Sequence, residues 1–321
     1  ATKTSSSNKF YSPVVRSIAE QEGISSDELD AVAGSGIDGR VTKQDVLKYL
    51  ETRKKPTSIV APQPKAVQAV APSPIVKPEK AIIQGDDEII PMDRVRQIIA
   101  EHMIYSKHTS AHVTSVGEAD VTKLVRWRNA HKDEFEKRNG FKLTFTPFFA
   151  KAVIDAVKQF PMMNVSVEGK NIIKHIRINL SFATALDDGN LIVPVIKNSD
   201  SLNLSGIARS IYDLSTRARA KKLNPDDIQG GTITLTNVGT FGTLFGTPVI
   251  NQPQTAIVGV GAIQKRPVVR KLGDEDVIAI RDMLYCSITY DHRVIDGMLA
   301  GMYLNAFVKA LESMDEQTIQ F

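Results

Sequence analysis

A histidine and an aspartate near the C-terminus have the types and the spacing needed for proton transfer. His292 follows an apolar, alternating run at residues 283–289 that predicts a strand, and a helical pattern begins at Met298. Asp296 stands four residues after His292, and Gly297 allows the backbone to turn. An imidazole at the end of a strand can serve as a general base near neutral pH. Taken alone, the pair is more typical of a surface or helix-capping arrangement than of a catalytic base.

A strand that ends in a hydroxyl and glycines supplies a second candidate group. Residues 232–236 are mostly β-branched and alternate between polar and apolar, and Thr236 and Asn237 precede Gly239 and Gly242. Such an end puts a hydroxyl and open backbone where a developing oxyanion could be stabilised. A structural turn is the alternative for this stretch, and Asn237 could serve either the turn or the site. The phosphate-loop pattern G-x-x-x-x-G-K-[ST] is absent.

Other reactive side chains are interpreted as structural. The aspartates of residues 187–190 are explained by a hairpin turn between two apolar strands. Cys286, the one cysteine, lies within the strand before His292, which predicts a buried thiol rather than a nucleophile. His108 and His112 have helical spacing, but no cysteine or carboxylate completes a ligand set. We therefore predict no metal site.

Length and charge narrow the function classes. A chain of 321 residues, 42% of them hydrophobic, can bury a large core and predicts more than one folded unit. The net charge of +4 permits phosphate-bearing ligands or acidic partner proteins, but no basic stripe interleaved with aromatics indicates nucleic-acid binding. No apolar run reaches the roughly 20 residues of a membrane span. Residues 1–9 lack the apolar segment of a signal peptide, and a single cysteine fits a reducing compartment.

The first quarter of the chain divides into three parts. Residues 1–9, rich in Ser, Thr and Lys, predict the end of a flexible linker. Residues 10–51 predict a small helical domain whose second helix is opened by a capping box of Thr42 and Asp45. Residues 52–85 contain six prolines among Ala, Val, Lys and Gln, which predicts an extended, semi-rigid linker. A proline-rich ligand for a partner domain is the alternative for that segment.

A glycine loop inside the small domain matches the dinucleotide fingerprint G-x-G-x-x-G. Its glycines are Gly34, Gly36 and Gly39. No strand precedes the loop and no strand–helix–strand unit surrounds it, so we reject nucleotide binding here. The glycines are predicted to make a tight turn with positive φ angles.

Residues 86–321 predict one large domain in which helices and strands are interspersed. Helical patterns fall at 92–104, 120–135, 147–160, 203–222 and 298–311, and strand patterns at 112–118, 171–173, 178–185, 191–196, 232–236, 254–260, 268–272 and 277–289. This order predicts α/β or α+β layers, with a mixed sheet, around one core.

The N-terminal domain resembles a known adaptor. The segments SPVVRSIAEQEGI and GSGIDGRVTKQDVLKYL are similar to the peripheral subunit-binding domain of 2-oxo acid dehydrogenase complexes. In that family two arginines engage acidic groups of the E1 2-oxo acid dehydrogenase or of E3, the dihydrolipoamide dehydrogenase. Arg16 and Arg40 occupy the matching positions, and Glu20 replaces a further basic residue often found there. The resemblance implies that residues 10–51 bind E1, E3 or both; solvated arginines without a partner are the alternative.

The large domain resembles a known catalytic core. SITYDHRVIDG, TLTNVGTFG, PMDRVRQIIAEHM and NLIVPVI are similar to the corresponding segments of dihydrolipoyl acyltransferases, the E2 components of the same complexes. The resemblance runs from about Ile89 to the C-terminus. It implies a two-layer α/β (α+β) domain of the chloramphenicol-acetyltransferase-like fold.

The resemblance also implies roles for single residues. His292 matches the base that removes the proton from the thiol of coenzyme A, and Thr236 matches the residue whose hydroxyl stabilises the tetrahedral oxyanion. Asp296 matches an aspartate held in a structural ion pair with an arginine from the start of the domain. Arg94 is the expected partner, and Arg96 is the fallback.

The same family implies how the chain assembles. Its active site forms between neighbouring subunits of a homotrimer, and the trimers associate into a cubic or icosahedral core, to which Ile319 and Phe321 could contribute. No segment here resembles the Asp-Lys-Ala turn of a lipoyl domain, so the lipoyl group is expected on a domain not present in this chain. Coenzyme A is expected as a substrate. The expected location is the cytoplasm of a bacterium, or the mitochondrial matrix of a eukaryote.

The function implied is transfer of an acyl group from acyl-dihydrolipoyl-lysine to coenzyme A. A branched-chain or broad acyl specificity is favoured, with acetyl or succinyl transfer as alternatives. A non-catalytic assembly scaffold is a second hypothesis, which the intact His292, Thr236 and Asp296 disfavour. An antibiotic acetyltransferase of the same fold is a third, disfavoured because the adaptor and the linker have no purpose in a free-standing enzyme.

Overall fold

A computed structural model describes residues 11–36, 39–52 and 84–319. The chain forms two units, the first ending at Glu88 and the second beginning at Ile89. The predicted flexible end at residues 1–9 lies outside the described residues, and so do residues 53–83 of the predicted linker and the terminal Phe321.

The first unit is a small all-helical domain. Its helices are α1 (Pro13–Gln21), α2 (Ser26–Ala31) and α3 (Lys43–Thr52). They surround a core of eight buried apolar residues: Tyr11, Val15, Ala19, Ile24, Leu29, Val32, Val41 and Val46. No sequence pattern predicted α2, because its six residues are too few to show a period. A capping box between Ser25 and Glu28 starts this helix.

The carboxylate of Asp45 ties the glycine loop to the start of α3. It accepts hydrogen bonds from the backbone N–H groups of Ser35 (2.9 Å) and Thr42 (2.8 Å) and from both hydroxyls, at 2.7 and 2.8 Å. Gly39 has a φ of +74°, and a Cβ on Gly34 would lie 2.4 Å from the Gly39 carbonyl oxygen. The loop glycines therefore serve a tight turn, as predicted, but only Gly39 has the predicted positive φ, whereas Gly34 and Gly36 are required by the close approach of the backbone of Gly39 and Arg40.

The second unit is built on a mixed sheet with the strand order β1-β11-β9-β8-β4-β7, to which β10 adds beside β11. The strands of this sheet and of two small hairpins are β1 (His112–Asp120), β2 (Val165–Glu168), β3 (Asn171–Lys174), β4 (Leu180–Phe182), β5 (Thr184–Ala185), β6 (Leu191–Ile192), β7 (Val195–Ile196), β8 (Ile233–Asn237), β9 (Ala256–Val260), β10 (Gln264–Leu272) and β11 (Glu275–Asp291). β8 runs parallel to both of its neighbours, and the other pairs of the sheet are antiparallel.

The described part of the second unit also contains five α-helices: α4 (Arg94–Thr109), α5 (Thr122–Asn139), α6 (Thr146–Gln159), α7 (Leu204–Arg219) and α8 (Gly297–Glu312). Nine residues of α6 are buried, and this helix packs against α7 and α8. Buried side chains of these helices, such as Phe149 and Phe307, share one core with Leu235, Val258 and Ile288 of the sheet. The observed domain has the predicted α/β composition. Within the described ranges, no helix is both long and apolar enough to cross a membrane.

Candidate active site

His292 lies on the turn between β11 and α8. Its backbone N–H donates to the carbonyl oxygen of Ala111 at 2.9 Å, which anchors the turn to the residue before β1. The imidazole is exposed, and its ring centroid lies 5.9 Å from that of the buried Tyr290. The backbone of His292 is thus fixed while its ring remains accessible to a substrate.

An ion pair between the buried Asp291 and the exposed Arg293 flanks His292 on both sides. The carboxylate of Asp291, which is fully buried, accepts hydrogen bonds from the backbone of Ala111 at 3.2 Å and from the Arg293 guanidinium, at 2.6 Å to Nη2. Burial acts to raise the pKa of Asp291, but hydrogen bonds from Arg293 and Ser110 outweigh it and lower the pKa below its ordinary value. This pair was not predicted from the sequence, although the motif contains opposite charges two residues apart.

Asp296 caps the helix that follows the histidine. Its Oδ1 accepts a hydrogen bond from the backbone N–H of Leu299 at 2.7 Å, and its own backbone is extended, as at other helix N-caps. The single chain does not bring Asp296 together with Arg94, which is exposed at the first residue of α4 and makes no ion pair with any described residue. Arg96, the fallback partner, donates instead to the side chain of Asn190 at 2.8 Å.

Arg94 and Asp296 lie toward opposite ends of α4. The contact of Arg96 with Asn190 puts the start of this helix next to the β5–β6 turn. Near its other end, Ser110 hydrogen-bonds Asp291, whose carbonyl oxygen accepts from the backbone N–H of Ile295. A helix of 16 residues is about 24 Å long. An ion pair between Arg94 and Asp296 would therefore have to join two chains.

Thr236 is half-buried near the end of β8. Its hydroxyl makes no hydrogen bond with a described residue, so it is available as a donor. The neighbouring Asn237 uses its side-chain oxygen to accept from the backbone N–H of Gly239 at 3.0 Å. Asn237 therefore takes part in the turn after β8.

A cavity of about 350 Å³, called here the Thr236 cavity, opens beside this hydroxyl. Its described lining residues are Thr146, Phe182, Ala183, Thr184, Ala185, Leu191, Ile211, Ser215, Arg219, Leu235, Thr236, Asn237, Val238, Thr240 and Phe241. Most of these side chains are apolar or carry a hydroxyl. The cavity can therefore hold the apolar part of a ligand whose polar atom meets Thr236.

The strand register separates His292 from Thr236 within one chain. Thr236 is level with Gly259 of β9, which is level with Ser287 of β11. His292 lies five residues beyond Ser287. At about 3.3 Å per residue along a strand and about 4.8 Å between strands, the two residues are roughly 20 Å apart. They stand toward opposite ends of the sheet and cannot act on one carbonyl group from the same chain.

Other residues singled out in the sequence occupy structural positions. Cys286 is fully buried, and burial raises the pKa of its thiol far above the ordinary value, with a smaller contribution from Glu312. Both ring nitrogens of His112 are engaged, Nδ1 with the Ser110 carbonyl oxygen at 2.9 Å and Nε2 with the backbone N–H of Ile250 at 3.1 Å. Neither residue is available as a nucleophile or ligand in this arrangement.

The two arginines of the adaptor are accessible. Arg16 lies on α1 and Arg40 lies between the glycine loop and α3. Both are exposed, and neither makes an ion pair with a residue that the structure describes. They can therefore meet acidic groups of another protein without first breaking an internal contact.

Two family models match the chain. Residues 84–319 match the model described as "2-oxoacid dehydrogenases acyltransferase (catalytic domain)", and residues 9–47 match the "e3 binding domain".

Curated relatives point to the same group of proteins. The chain is 42% identical, over 97% of its length and 72% of the relative, to the lipoamide acyltransferase component of the branched-chain alpha-keto acid dehydrogenase complex of Bacillus subtilis. It is 37% identical, over 96% of its length and 70% of the relative, to the succinyltransferase component of the 2-oxoglutarate dehydrogenase complex of the same organism.

Solved structures agree with the fold of the second unit. A probable dihydrolipoamide acetyltransferase of Listeria monocytogenes is 43% identical, with a TM-score of 0.70, and covers 74% of this chain and 99% of its own. The dihydrolipoamide acetyltransferase of Azotobacter vinelandii is 36% identical, with a TM-score of 0.67, and covers 71% of this chain and 93% of its own. The cubic core of a pyruvate dehydrogenase complex gives 35% identity, the same TM-score and the same coverage. The resemblance inferred from the motifs is thus confirmed, together with the α/β acyltransferase fold: the chain belongs to the 2-oxoacid dehydrogenase acyltransferase family, the E2 components of these complexes, and is an acyltransferase.

Proposed function

We propose that this chain transfers an acyl group from acyl-dihydrolipoyl-lysine to coenzyme A, with a branched-chain or broad acyl specificity. The observation that carries the proposal is that the chain presents two groups suited to this reaction. One is the exposed imidazole of His292, on a turn held by the ion pair of its two neighbours, and the other is the unengaged hydroxyl of Thr236 beside a largely apolar cavity. His292 and Thr236 are the proposed catalytic residues. Asp296 and Arg94 are proposed to support the site.

The proposed chemistry begins at the thiol of coenzyme A. A free thiol has a pKa of about 8.5 and is mostly protonated at neutral pH, so His292 acts as the base that removes its proton. The thiolate attacks the carbonyl carbon of the acyl thioester, and Thr236 donates a hydrogen bond to the resulting oxyanion. Such a bond stabilises comparable transition states by roughly 3–4 kcal/mol. The protonated His292 then gives its proton to the departing dihydrolipoyl sulfur.

The site is proposed to form between two chains. Since the strand register separates His292 from Thr236 by roughly 20 Å, one chain supplies the imidazole and its neighbour the hydroxyl. An ion pair between Arg94 of one chain and Asp296 of the other would join the region around His292 to the start of α4 in the neighbouring chain. In this proposal the partner of Asp296 is reached only on assembly, while its helix cap exists in the free chain.

An exposed apolar surface supports the assembly. Ile89, Ile90, Val95, Ile98 and Tyr105, along α4 and the segment before it, are 56–77% exposed. A chain rarely leaves such a row uncovered, so a second copy is the proposed cover. We propose homotrimers that build a cubic or icosahedral core, in keeping with the cubic core among the similar structures.

A solved relative supports the choice of residues. The study of the Azotobacter vinelandii acetyltransferase concerns the role of a serine, a histidine and an asparagine in its catalytic mechanism. The histidine and asparagine named there stand four positions apart, the same spacing as His292 and Asp296. Thr236 carries the same functional group as the serine.

The acyl group is the least constrained part of the proposal. The relatives above act in branched-chain and 2-oxoglutarate complexes at 42% and 37% identity, so similarity alone does not choose between them. The apolar walls of the Thr236 cavity, with Phe182, Leu191 and Leu235, suit a hydrocarbon chain and support the branched-chain choice. Acetyl and succinyl transfer remain the alternatives.

The adaptor and its location complete the proposal. Residues 10–51 are proposed to bind the E1 dehydrogenase, the E3 dihydrolipoamide dehydrogenase or both through Arg16 and Arg40, supported by the match to the e3 binding domain. The lipoyl group would reach the site on another domain, with coenzyme A as the second substrate. We place the protein in the cytoplasm of a bacterium, since the relatives named above are bacterial.

A thioester-exchange assay with free dihydrolipoamide tests this function. Acetyl-, succinyl- and isobutyryl-coenzyme A are compared as donors for the unmodified chain and for His292→Ala. Loss of the base should lower the rate by a factor on the order of 10²–10⁴. His108→Ala, which removes another exposed histidine, is the control and should match the unmodified chain. An unmodified chain that assembles but exchanges no acyl group would favour the scaffold hypothesis instead.

A further inference from the structure

The Thr236 cavity is apolar along most of its wall and carries a single charge. Among its described lining residues, Arg219 is the one charged side chain. Phe182, Leu191, Ile211 and Phe241 contribute apolar surface. A ligand that fills this cavity must be apolar over most of its length, and it can carry one anionic group that binds the guanidinium of Arg219.

Helix α7 holds this cation at a fixed distance from the apolar wall. Ile211, Ser215 and Arg219 are spaced four residues apart and line the cavity from one face of the helix. At 1.5 Å per residue, the Cα atom of Arg219 lies about 12 Å along the helix axis from that of Ile211. Ile207 and Leu214 on α7 are buried in the core, so the helix cannot rotate the cation away from the cavity.

A neighbouring arginine of α7, Arg217, has a structural role, and its charge is neutralised by two carboxylates of the same chain. Arg217 pairs with Asp213 at 2.9 Å and also with Asp227. Arg219, two residues further on, is exposed and makes no ion pair with any residue that the structure describes. Both arginines lie in the last turn, where the helix dipole favours cations. The dipole therefore does not explain why only one of them lacks a carboxylate.

We propose that Arg219, with the hydroxyl of Ser215 beside it, binds an anionic group of the acyl-transfer substrates and determines specificity for them. A guanidinium can hold a phosphate or a carboxylate with two parallel hydrogen bonds. The anion has two possible sources, the phosphates of coenzyme A and the free carboxylate of a dicarboxylic acyl group. The inference rests on the function proposed above, since it assigns the Thr236 cavity to the substrates of that reaction.

Steady-state kinetics of Arg219→Ala distinguish the two sources. Coenzyme A is varied against isobutyryl- and succinyl-dihydrolipoamide. If Arg219 holds a phosphate, the KM for coenzyme A rises about tenfold with either donor, as for loss of a hydrogen bond to a charged group. If it holds the acyl carboxylate, kcat/KM falls about tenfold for the succinyl donor alone. Arg219→Lys keeps the charge and should recover part of either loss.

Two further variants control the experiment. Arg209→Ala removes another exposed arginine of α7 that does not line the cavity, and it should behave as the unmodified chain. His292→Ala reports on the function itself, because its full activity would overturn the reaction and not merely the role of Arg219. If His292→Ala is inactive while Arg219→Ala keeps both kinetic constants within about twofold, the anion site is wrong and the acyltransferase function stands. A lowered unfolding temperature without a kinetic change would assign Arg219 to the helix dipole and overturn the proposal.

Discussion

At the scale of single residues, the motif around His292 surrounds an exposed imidazole with residues that have structural contacts. Asp291 and Arg293 fix the turn through a buried carboxylate, and Asp296 starts the helix that follows. His292 itself makes no side-chain hydrogen bond with a described residue, so its neighbours hold the backbone and leave the imidazole for the substrate.

The first residue-scale prediction concerns Asp291. Its folded-state pKa lies below the ordinary value, so the ionised carboxylate stabilises the fold above about pH 4 and this contribution is lost as the pH falls through the folded pKa. Asp291→Asn should cost about 1–3 kcal/mol, because the charge-assisted bonds to Arg293 are lost. It should also lower exchange activity by loosening the turn. Thermal unfolding between pH 3 and pH 7 measures both the cost and its pH dependence.

The exposed turn residue Asp187 provides the control for Asp291. Asp187→Asn should leave the unfolding temperature at pH 7 within the scatter of surface substitutions, about 0.5 kcal/mol. Equal effects of the two substitutions would remove the special role assigned to the buried carboxylate.

The second residue-scale prediction concerns Tyr303. Its side chain is fully buried in α8, and its hydroxyl has no hydrogen-bond partner among the described residues. Burial raises the pKa of this phenol far above its ordinary value, so it stays neutral. An unsatisfied buried hydroxyl is costly, and Tyr303→Phe should be neutral or stabilise the fold by about 1 kcal/mol in thermal unfolding. Tyr212→Phe, at an exposed tyrosine, is the control; a clear loss of stability for Tyr303→Phe alone would show that the hydroxyl gains a partner on assembly.

At the scale of elements, the carboxylate of Asp45 links the glycine loop of the small N-terminal unit to the start of α3. The backbone N–H groups of Ser35 and then Thr42 lower the pKa of Asp45 below its ordinary value. Its stabilising effect is therefore present above the ordinary carboxyl range and disappears in strong acid. The glycine turn and the start of α3 should lose their order together when this carboxylate is removed.

Hydrogen exchange tests the link at Asp45. In the full chain, Asp45→Asn should speed amide exchange at Ser35 and Thr42, while Glu20→Gln, at an exposed position on α1, should not. Unchanged protection at both amides would mean that the loop is held by its glycine geometry alone.

Sequence patterns located most elements of the large domain but not their pairing. The periodic stretches of α4, α6, α8 and β11 are long enough to identify, whereas α2 and β2 are too short for a period to emerge. The order β1-β11-β9-β8 joins strands far apart in the chain, and no local pattern encodes it. The resemblance supplied His292 and Thr236, but their separation within one chain came only from the strand register.

At the scale of the whole molecule, the central claim is that the acyltransferase site needs two chains. One end of the sheet carries His292, the proposed base, and the other carries the hydroxyl of Thr236 and its cavity. The exposed apolar row along α4 offers a surface through which a second copy can bring those ends together. Activity should accordingly depend on protein concentration wherever the trimer dissociates.

Complementation between two inactive variants tests this claim most directly. His292→Ala lacks the base, and Thr236→Ala should lose activity by a factor on the order of 10²–10³. The two are unfolded together, mixed in equal amounts and refolded, with each variant refolded alone as the control. If neighbouring chains share the site, random mixing makes about one site in four intact, and activity should return to roughly a quarter of that of the refolded unmodified protein. Mixed assemblies that form but regain no activity would place both residues of each site in one chain and contradict the account.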